Sequence, residues 1–173
     1  MNDLGTLERH GGAYVLQWER RLAHPPAKVW AAITDPDQMR AWWAEAEIDL
    51  QPGGEVVLRW LNVPEGGEPA ILHGTVTALE PERALEIRGD LHGTIRFDLE
   101  PRDDGGTTLR FTNVLDLEAQ EWLSKSLAGW HTHLEHLDDF LDAGTRVGWE
   151  HWYVGPIRRW EELHARYVAA YRA

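Results

Sequence analysis

The sequence predicts an α+β domain in which helices pack against one face of a curved antiparallel sheet. From residue 45 to residue 115, short runs of β-forming residues alternate with turn sequences, which is typical of a meander of hairpins. After Asp116 the period of the apolar residues changes from about two to about 3.6, which indicates that a helix follows the strands. No Gly/Ser linker divides the 173 residues, so one α+β unit accounts for this order of elements.

A strand and two short helices open the predicted domain. Residues 14–22 alternate as a half-buried strand does, and Arg20 interrupts the apolar side of that strand. The apolar side consists of Tyr14, Leu16, Trp18 and Leu22. In "HPPAKVWAAITDPDQMRAWW", Pro25 and Pro26 favour a helix start, and the Asp35-Pro36 step breaks that helix before a second helical piece. The two helices therefore follow the first strand.

Six further strands are predicted, and the sheet is expected to have six or seven strands in all. The runs are Glu45–Leu50, Glu55–Trp60, Ile71–Leu79, Ala84–Arg88, Thr94–Leu99 and Thr107–Leu115. Turn sequences such as "QPGGE", "EPER" and "PRDDGGT" separate them. The segment "VPEGGEPA" at residues 63–70 is rich in glycine and proline and indicates a longer loop.

Two amphipathic helices are predicted in the last third of the chain. The apolar stripe of the first helix ends at Gly144 and consists of Leu123, Trp130, Leu134, Leu137 and Leu141. A loop follows, and from Pro156 a second helical stripe contains Ile157, Trp160, Leu163, Tyr167 and Tyr171. We divide the chain into a domain at residues 1–145 and an extension at residues 146–173 whose helix docks on the same domain.

Composition and charge exclude several classes of function. The net charge of −12 opposes binding to nucleic acid and to anionic membranes. The absence of cysteine excludes disulfides, thiol nucleophiles and thiolate metal sites. The sequence contains neither a signal peptide nor roughly 18 consecutive apolar residues, so we expect a cytoplasmic protein.

Five motifs resemble one known superfamily and occur in the family order. They are "PPAKVWAAITDPDQMRAWW" (25–43), "IDLQPGGEVVLRW" (48–60), "HGTVTALEPERALEI" (73–87), "TIRFDLEPRDDGGTTLRFTN" (94–113) and "AGWHTHLEHLDDFL" (128–141). Across residues 14–143 the chain is similar to the START-like, helix-grip superfamily, also called SRPBCC. Within it, the chain resembles the branch of the heat-shock protein 90 ATPase activator domain.

The resemblance implies a long C-terminal helix across a bent sheet, with a cavity between them. It implies little about chemistry, because the superfamily includes lipid carriers, hormone receptors, cyclases and chaperone regulators. Family members often carry an aromatic residue after the strand that matches Ala84–Arg88, where this sequence reads "IRGD". The extension lies outside the shared region and is a candidate lid, homodimer contact or structural brace.

Nine residues are candidates for contact with a ligand in that cavity. The apolar candidates are Trp42, Trp43, Trp60, Trp130, Leu134 and Leu137, with one of the adjacent Trp42 and Trp43 expected to face inward and the other outward. The polar candidates are Arg20, Asn113 and His133. For each polar residue a structural partner is an alternative to a ligand.

No catalytic, metal or cofactor site is predicted. On a helical wheel His131 and His133 point about 160° apart, and His133 and His136 about 60° apart, so at most two of the three histidines act together. Zinc requires a further protein ligand. We expect His131 to pair with Glu135, His136 to lie in water, and the adjacent Asp138 and Asp139 to form a solvated face.

Three hypotheses about function follow. The first is a protein that binds a small apolar, ring-containing ligand, because the interior is rich in tryptophan and has few polar groups. The second is a protein-interaction module related to the chaperone activator, which acts through its surface. The third is a cyclase or hydrolase in which His133 or Arg20 acts as an acid–base or electrophilic group.

Overall fold

A computed structural model describes residues 4–63, 66–116 and 121–171, with Glu121 described by its backbone alone. The strands are β1 (Thr6–His10), β2 (Ala13–Leu22), β3 (Ala44–Ile48), β4 (Glu55–Trp60), β5 (Ile71–Glu80), β6 (Ala84–Gly89), β7 (Thr94–Pro101) and β8 (Thr107–Leu115). The helices are α1 (Pro26–Thr34), α2 (Pro36–Trp42), α3 (Glu121–Ala143) and α4 (Ile157–Ala170), with a short 3-10 turn at Trp149–His151. Pro64 and Glu65 of the predicted loop lie outside the described residues.

The strands form one antiparallel sheet in the order β1-β2-β8-β7-β6-β5-β4-β3. The sheet has eight strands, so the prediction of six or seven was wrong. Strand β1 was missed because most of its residues are exposed, which leaves no alternating apolar pattern in the sequence. The turn between β1 and β2 contains Gly11, whose φ of 61° lies in the left-handed region that glycine adopts without strain.

Helix α3 is the long helix of the predicted fold, and it packs with α1 and α2 against one face of the curved sheet. Its predicted stripe is buried: Leu123, Trp130, Leu134, Leu137 and Leu141 all belong to the core. Among the described residues, no helix is long and apolar enough to cross a membrane.

Seven aromatic rings fill the space between the sheet and the helices. We call this group the aromatic cluster, and it consists of Trp18, Trp42, Trp43, Trp60, Phe97, Phe111 and Trp130. Trp130 on α3 lies near its centre, with its ring centroid 4.5 Å from that of Phe111 and 5.5 Å from that of Trp43. Rings of this size account for much of the apolar area that a core buries. The region in which the resemblance places a cavity is therefore occupied by side chains of the protein.

The polar contacts of helix α4 with the rest of the domain include one buried hydroxyl group and one ion pair. The hydroxyl oxygen of Tyr167 accepts hydrogen bonds from the Gly5 backbone N–H at 2.8 Å and from Trp18 Nε1 at 3.1 Å. With its own proton it binds Nδ1 of His131 at 2.9 Å. Arg159 donates two hydrogen bonds to the Glu135 carboxylate, at 2.6 and 2.9 Å. The last helix is thus connected to α3, to β2 and to the N-terminal segment.

The predicted pair of His131 and Glu135 is confirmed, with Nε2 3.5 Å from the carboxylate. His131 is nearly fully buried, and the hydrogen bond from Tyr167 determines which of its ring nitrogens carries the proton. Because Nδ1 accepts the hydrogen bond from the Tyr167 hydroxyl, the ring proton lies on Nε2 and faces Glu135. Burial by itself raises the pKa of Glu135, but the hydrogen bonds from Arg159 and His131, together with the charge of Arg159, lower that pKa to about 2.

We expect substitution Tyr167→Phe to lower the free energy of unfolding by about 2 to 3 kcal/mol, because it leaves buried donors on Gly5 and Trp18 without a partner. Tyr171→Phe is the matched control, since Tyr171 is partly exposed and its hydroxyl makes a single bond to the Gly5 carbonyl. Urea unfolding of both variants measures the difference. Equal losses in the two variants would contradict the role assigned to Tyr167.

Candidate functional site

A cleft of about 250 Å³ opens at one end of the aromatic cluster. We call it the tryptophan cleft, because four indole rings line it. The lining residues come from β4 and the chain after it, from the β6–β7 connection, and from α3 and α4. They are Trp60, Asn62, Val63, Glu68, Ala70, His92, Trp122, Lys125, Ser126, Gly129, Trp130, His133 and Trp160.

Trp60 and His92 form one wall of the tryptophan cleft. Their ring centroids are 4.6 Å apart. His92 has a φ of 61°, an uncommon value for a residue with a side chain, and Gly93 follows with the same φ. Burial lowers the pKa of His92 to about 4, so its imidazole is neutral at pH 7.

His133 lines the cleft from α3, and one of its two nitrogens is committed to the backbone. Its Nδ1 lies 3.1 Å from the carbonyl oxygen of Trp42. A carbonyl only accepts hydrogen bonds, so Nδ1 carries the proton and Nε2 keeps its lone pair. Burial, with a smaller contribution from the neighbouring His136, lowers the pKa of His133 to about 3. This second imidazole is therefore also neutral.

Asn113 is fully buried and is an internal bridge between two walls of the cleft. Its Nδ2 donates to the carbonyl oxygens of His92 at 2.6 Å and Thr94 at 3.0 Å, and its Oδ1 accepts from Trp130 Nε1 at 3.0 Å. All these partners belong to the protein itself, so Asn113 has structural partners and not a ligand as its hydrogen-bonding groups. Asn113 therefore orients His92 and Trp130 and does not itself line the cleft.

Trp42 and Trp43 both have 0% exposure, so the expectation that one of them faces outward was wrong. Neighbouring residues point to opposite faces in a regular strand. Trp43 instead lies at the end of α2, with φ −131° and ψ −79°, where the backbone turns into β3. Trp42 donates its indole N–H to the Ala32 carbonyl at 2.9 Å. Leu134 and Leu137 are buried in the same core, away from the cleft lining.

Arg20 has a protein partner and lies away from the tryptophan cleft. Its Nε is 3.7 Å from the carboxylate of Asp138 on α3, and the arginine side chain is 16% exposed. Burial raises the pKa of Asp138 to about 6, although Arg20 opposes that rise. The prediction of a solvated face was therefore wrong for Asp138, which is half-buried.

His136 packs between aromatic rings and does not lie in water as expected. Its ring centroid is 5.8 Å from that of Trp152 and 6.3 Å from that of Trp149, both in the segment that connects α3 to α4. Within the part of the chain that the structure describes, no group of three or more histidine, cysteine or acidic side chains has the arrangement of a metal site.

Several cleft residues were not predicted from the sequence, chiefly His92, Asn62, Gly129 and Trp160. His92 supplies a ring against Trp60 just after β6, near the position where the resemblance implies an aromatic residue and the sequence reads "IRGD". That family position was the one signal in the sequence that could have indicated a ring at His92. Trp160 was assigned only to the apolar stripe of α4, and the cleft that it lines depends on how α4 docks.

The fold and the cleft define a protein of the helix-grip class, with a long helix across a curved antiparallel sheet. Residues 23–142 match the family described as "Activator of Hsp90 ATPase homolog 1-like protein". The chain belongs to this family. No curated protein matches the sequence.

Solved structures with the same fold extend the likeness beyond the family region. The protein of unknown function EF2215 from Enterococcus faecalis has 21% identity and a TM-score of 0.73, over 96% of this chain and 89% of that one. CalU16 from Micromonospora echinospora has 22% identity and a TM-score of 0.71, over 98% of each chain. DynU16, from the dynemicin biosynthetic locus, has 18% identity and a TM-score of 0.66, over 76% of this chain and 48% of that one. At these identities the likeness concerns the fold.

We expect substitution Asn113→Leu to lower the free energy of unfolding by about 3 kcal/mol, because it leaves the buried Trp130 N–H without a partner and removes the hydrogen bonds to the His92 and Thr94 carbonyl oxygens. Thr112→Val is the control on the same strand, since Thr112 makes one long exposed bond to Gln17. Urea unfolding measures stability, and NMR shifts of the His92 and Trp130 side chains report their positions. Unchanged shifts in Asn113→Leu would contradict the bridging role.

The two neutral histidines predict a loss of stability in acid. Their pKa values rise from about 3 and about 4 in the folded protein to 6.5 in the unfolded chain, so unfolding takes up protons below that pH. Stability therefore falls as the pH drops from about 6.5, and for His133 alone the loss by pH 5 is about 2 kcal/mol. Asp138, whose pKa is raised to about 6, changes stability in the opposite direction.

Urea unfolding between pH 7 and pH 5, compared with His133→Asn, isolates the contribution of His133. The amide retains a donor for the Trp42 carbonyl and does not titrate, while Asp138 and His92 are common to both proteins. We expect a shallower dependence of stability on pH in the variant. Equal slopes would contradict a neutral, buried His133.

Proposed function

We propose that the protein binds a small, flat, mostly apolar ring molecule in the tryptophan cleft. The observation that carries the proposal is an open cleft of about 250 Å³ lined by four tryptophans and two histidines. Binding sites for small molecules combine apolar and aromatic walls with a few polar groups, in volumes of roughly 300 to 1,000 Å³. A volume slightly below that range suits a molecule of one or two rings.

The proposed site lies at the end of the aromatic cluster rather than between the sheet and α3. A ligand between these two layers would have to displace Trp43, Phe97 or Phe111, all of which have 0% exposure. Trp60 and Trp130 belong both to the aromatic cluster and to the cleft lining. A ligand in the cleft would stack against the edge of a preformed aromatic core, so little of the protein needs to be reordered on binding.

Binding is favoured over acid–base catalysis by the state of the polar groups. A general acid or base works best with a pKa near the operating pH. His133 has a pKa of about 3 and His92 of about 4, and Arg20 pairs with Asp138 outside the cleft. These features support a binding protein rather than a cyclase or hydrolase.

A second candidate, a module that contacts heat-shock protein 90, rests on membership of the activator-like family. Its test is separate from the ligand experiment: purified chaperone and this protein are mixed and analysed by sedimentation velocity. A complex that forms equally with wild type and with a variant whose cleft is blocked would assign the chaperone contact to the surface.

Gly129 offers a way to block the tryptophan cleft while keeping the fold. A Cβ atom at this α3 position would meet only Trp160 Nε1, at 3.9 Å, so there is room for a side chain. Gly129→Leu places an isobutyl group in the cleft. The substitution also removes the entropic cost of glycine inside a helix, which is about 0.5 to 1 kcal/mol. We expect the variant to fold and to lose ligand binding.

The experiment is calorimetric titration of 2-naphthol, a two-ring probe, into wild type, Gly129→Leu and Ala169→Leu. Ala169 is exposed on α4 and outside the cleft lining, so the last variant controls for an added leucine. We expect binding to wild type and to Ala169→Leu but not to Gly129→Leu. Binding that survives in Gly129→Leu would refute the assignment of the site.

A further inference from the structure

We infer that the cleft selects an uncharged ring molecule with a hydroxyl or similar hydrogen-bond donor, for which His133 Nε2 and Asn62 Oδ1 are the two available acceptors. This inference rests on the proposed function and names the class of ligand. It assigns a role in specificity to two residues of the cleft lining, one on α3 and one just after β4.

His133 presents an acceptor because its other nitrogen is already used. Nδ1 donates to the Trp42 carbonyl, and the ring packs against Trp130 with their centroids 5.9 Å apart. The bond and the packing hold the imidazole in one orientation. Nε2 is left as an unprotonated nitrogen on a residue that lines the cleft. Such a nitrogen pairs with a donor and gains nothing from an ether or a carboxylate.

Asn62 supplies a second acceptor in the same cleft. Its Oδ1 is buried and has no hydrogen-bond partner among the described residues. Most buried polar atoms in proteins have a partner, and leaving one without a partner is costly. A ligand donor at this position would satisfy the oxygen.

The charges around the cleft disfavour an ionised ligand. The two imidazoles are neutral, so neither offsets a carboxylate. The charged side chains of the lining are Lys125 and Glu68, which are of opposite sign. Lys125 lies over the exposed ring of Trp122, with Nζ 4.5 Å from the ring centroid. An ion that entered the cleft would lose water and would meet one charge of each sign.

The test compares four probes that share one ring system. They are 2-naphthol, 2-methoxynaphthalene, 2-naphthoate and protonated 2-naphthylmethylamine, each titrated calorimetrically into wild type at pH 7. We expect 2-naphthol to bind roughly tenfold or more tightly than each of the others, because losing the donor leaves a desolvated acceptor unpaired. Equal or tighter binding of the methyl ether, the carboxylate or the ammonium would overturn the inference.

Two variants separate hydrogen bonding from steric fit. Asn62→Ala and His133→Phe each remove one acceptor, and Asn62 is the safer change because it lies in a partly exposed loop. The single hydroxyl of 2-naphthol donates to one acceptor, so we expect the preference for 2-naphthol over its methyl ether to fall severalfold in at least one of the two variants, and Thr112→Val to retain it. A preference that persists in both variants would show that shape selects the ligand and would overturn the inference.

The outcomes also separate this inference from the proposed function. If none of the four probes binds, or if binding persists in Gly129→Leu, the proposed function fails and the inference fails with it. If binding is lost in Gly129→Leu but the four affinities are equal, the cleft binds rings without selecting a donor. In that case only the inference fails.

Discussion

The rest of the structure depends on the packing of Trp130 against the sheet. This side chain projects from α3 into the aromatic cluster, where it contacts Trp43 just after α2 and rings from β4 and β8. An indole buried this deeply needs a partner for its N–H, and Asn113 on β8 provides it. The apolar contacts and this polar bond fix the middle of the long helix against the sheet.

The same polar bond connects the core to the cleft. Asn113 binds Trp130 through its oxygen and the His92 carbonyl through its nitrogen, so one buried amide positions residues on two sides of the opening. It also holds the backbone of His92 in a left-handed conformation, which a residue with a side chain adopts only when its surroundings require it. The site is thus supported by a rigid layer beneath it, as effective binding sites are.

The C-terminal extension is an integral part of this arrangement. The Val147 N–H binds the Ala41 carbonyl and Trp149 Nε1 binds the Arg40 carbonyl, so the segment before α4 is joined to the end of α2. Helix α4 then brings Trp160 to the cleft, while Tyr167 connects α3 to β2. The family match ends at residue 142, but the alignment with CalU16 covers 98% of the chain. The extension therefore belongs to a fold shared beyond the family region.

The amino-acid sequence by itself determined the order of the elements from β2 onward, the apolar stripe of α3 and the family, because period, turn residues and motif order are local properties of the chain. Only the tertiary structure decided which polar side chains keep a hydrogen-bonding group available for a ligand. Arg20, Asn113 and His133 look alike in sequence as polar residues on apolar faces, yet the first pairs with Asp138, the second bridges two walls, and the third keeps an open nitrogen. Their partners lie between 17 and 118 positions away along the chain, and no local pattern specifies contacts at that distance.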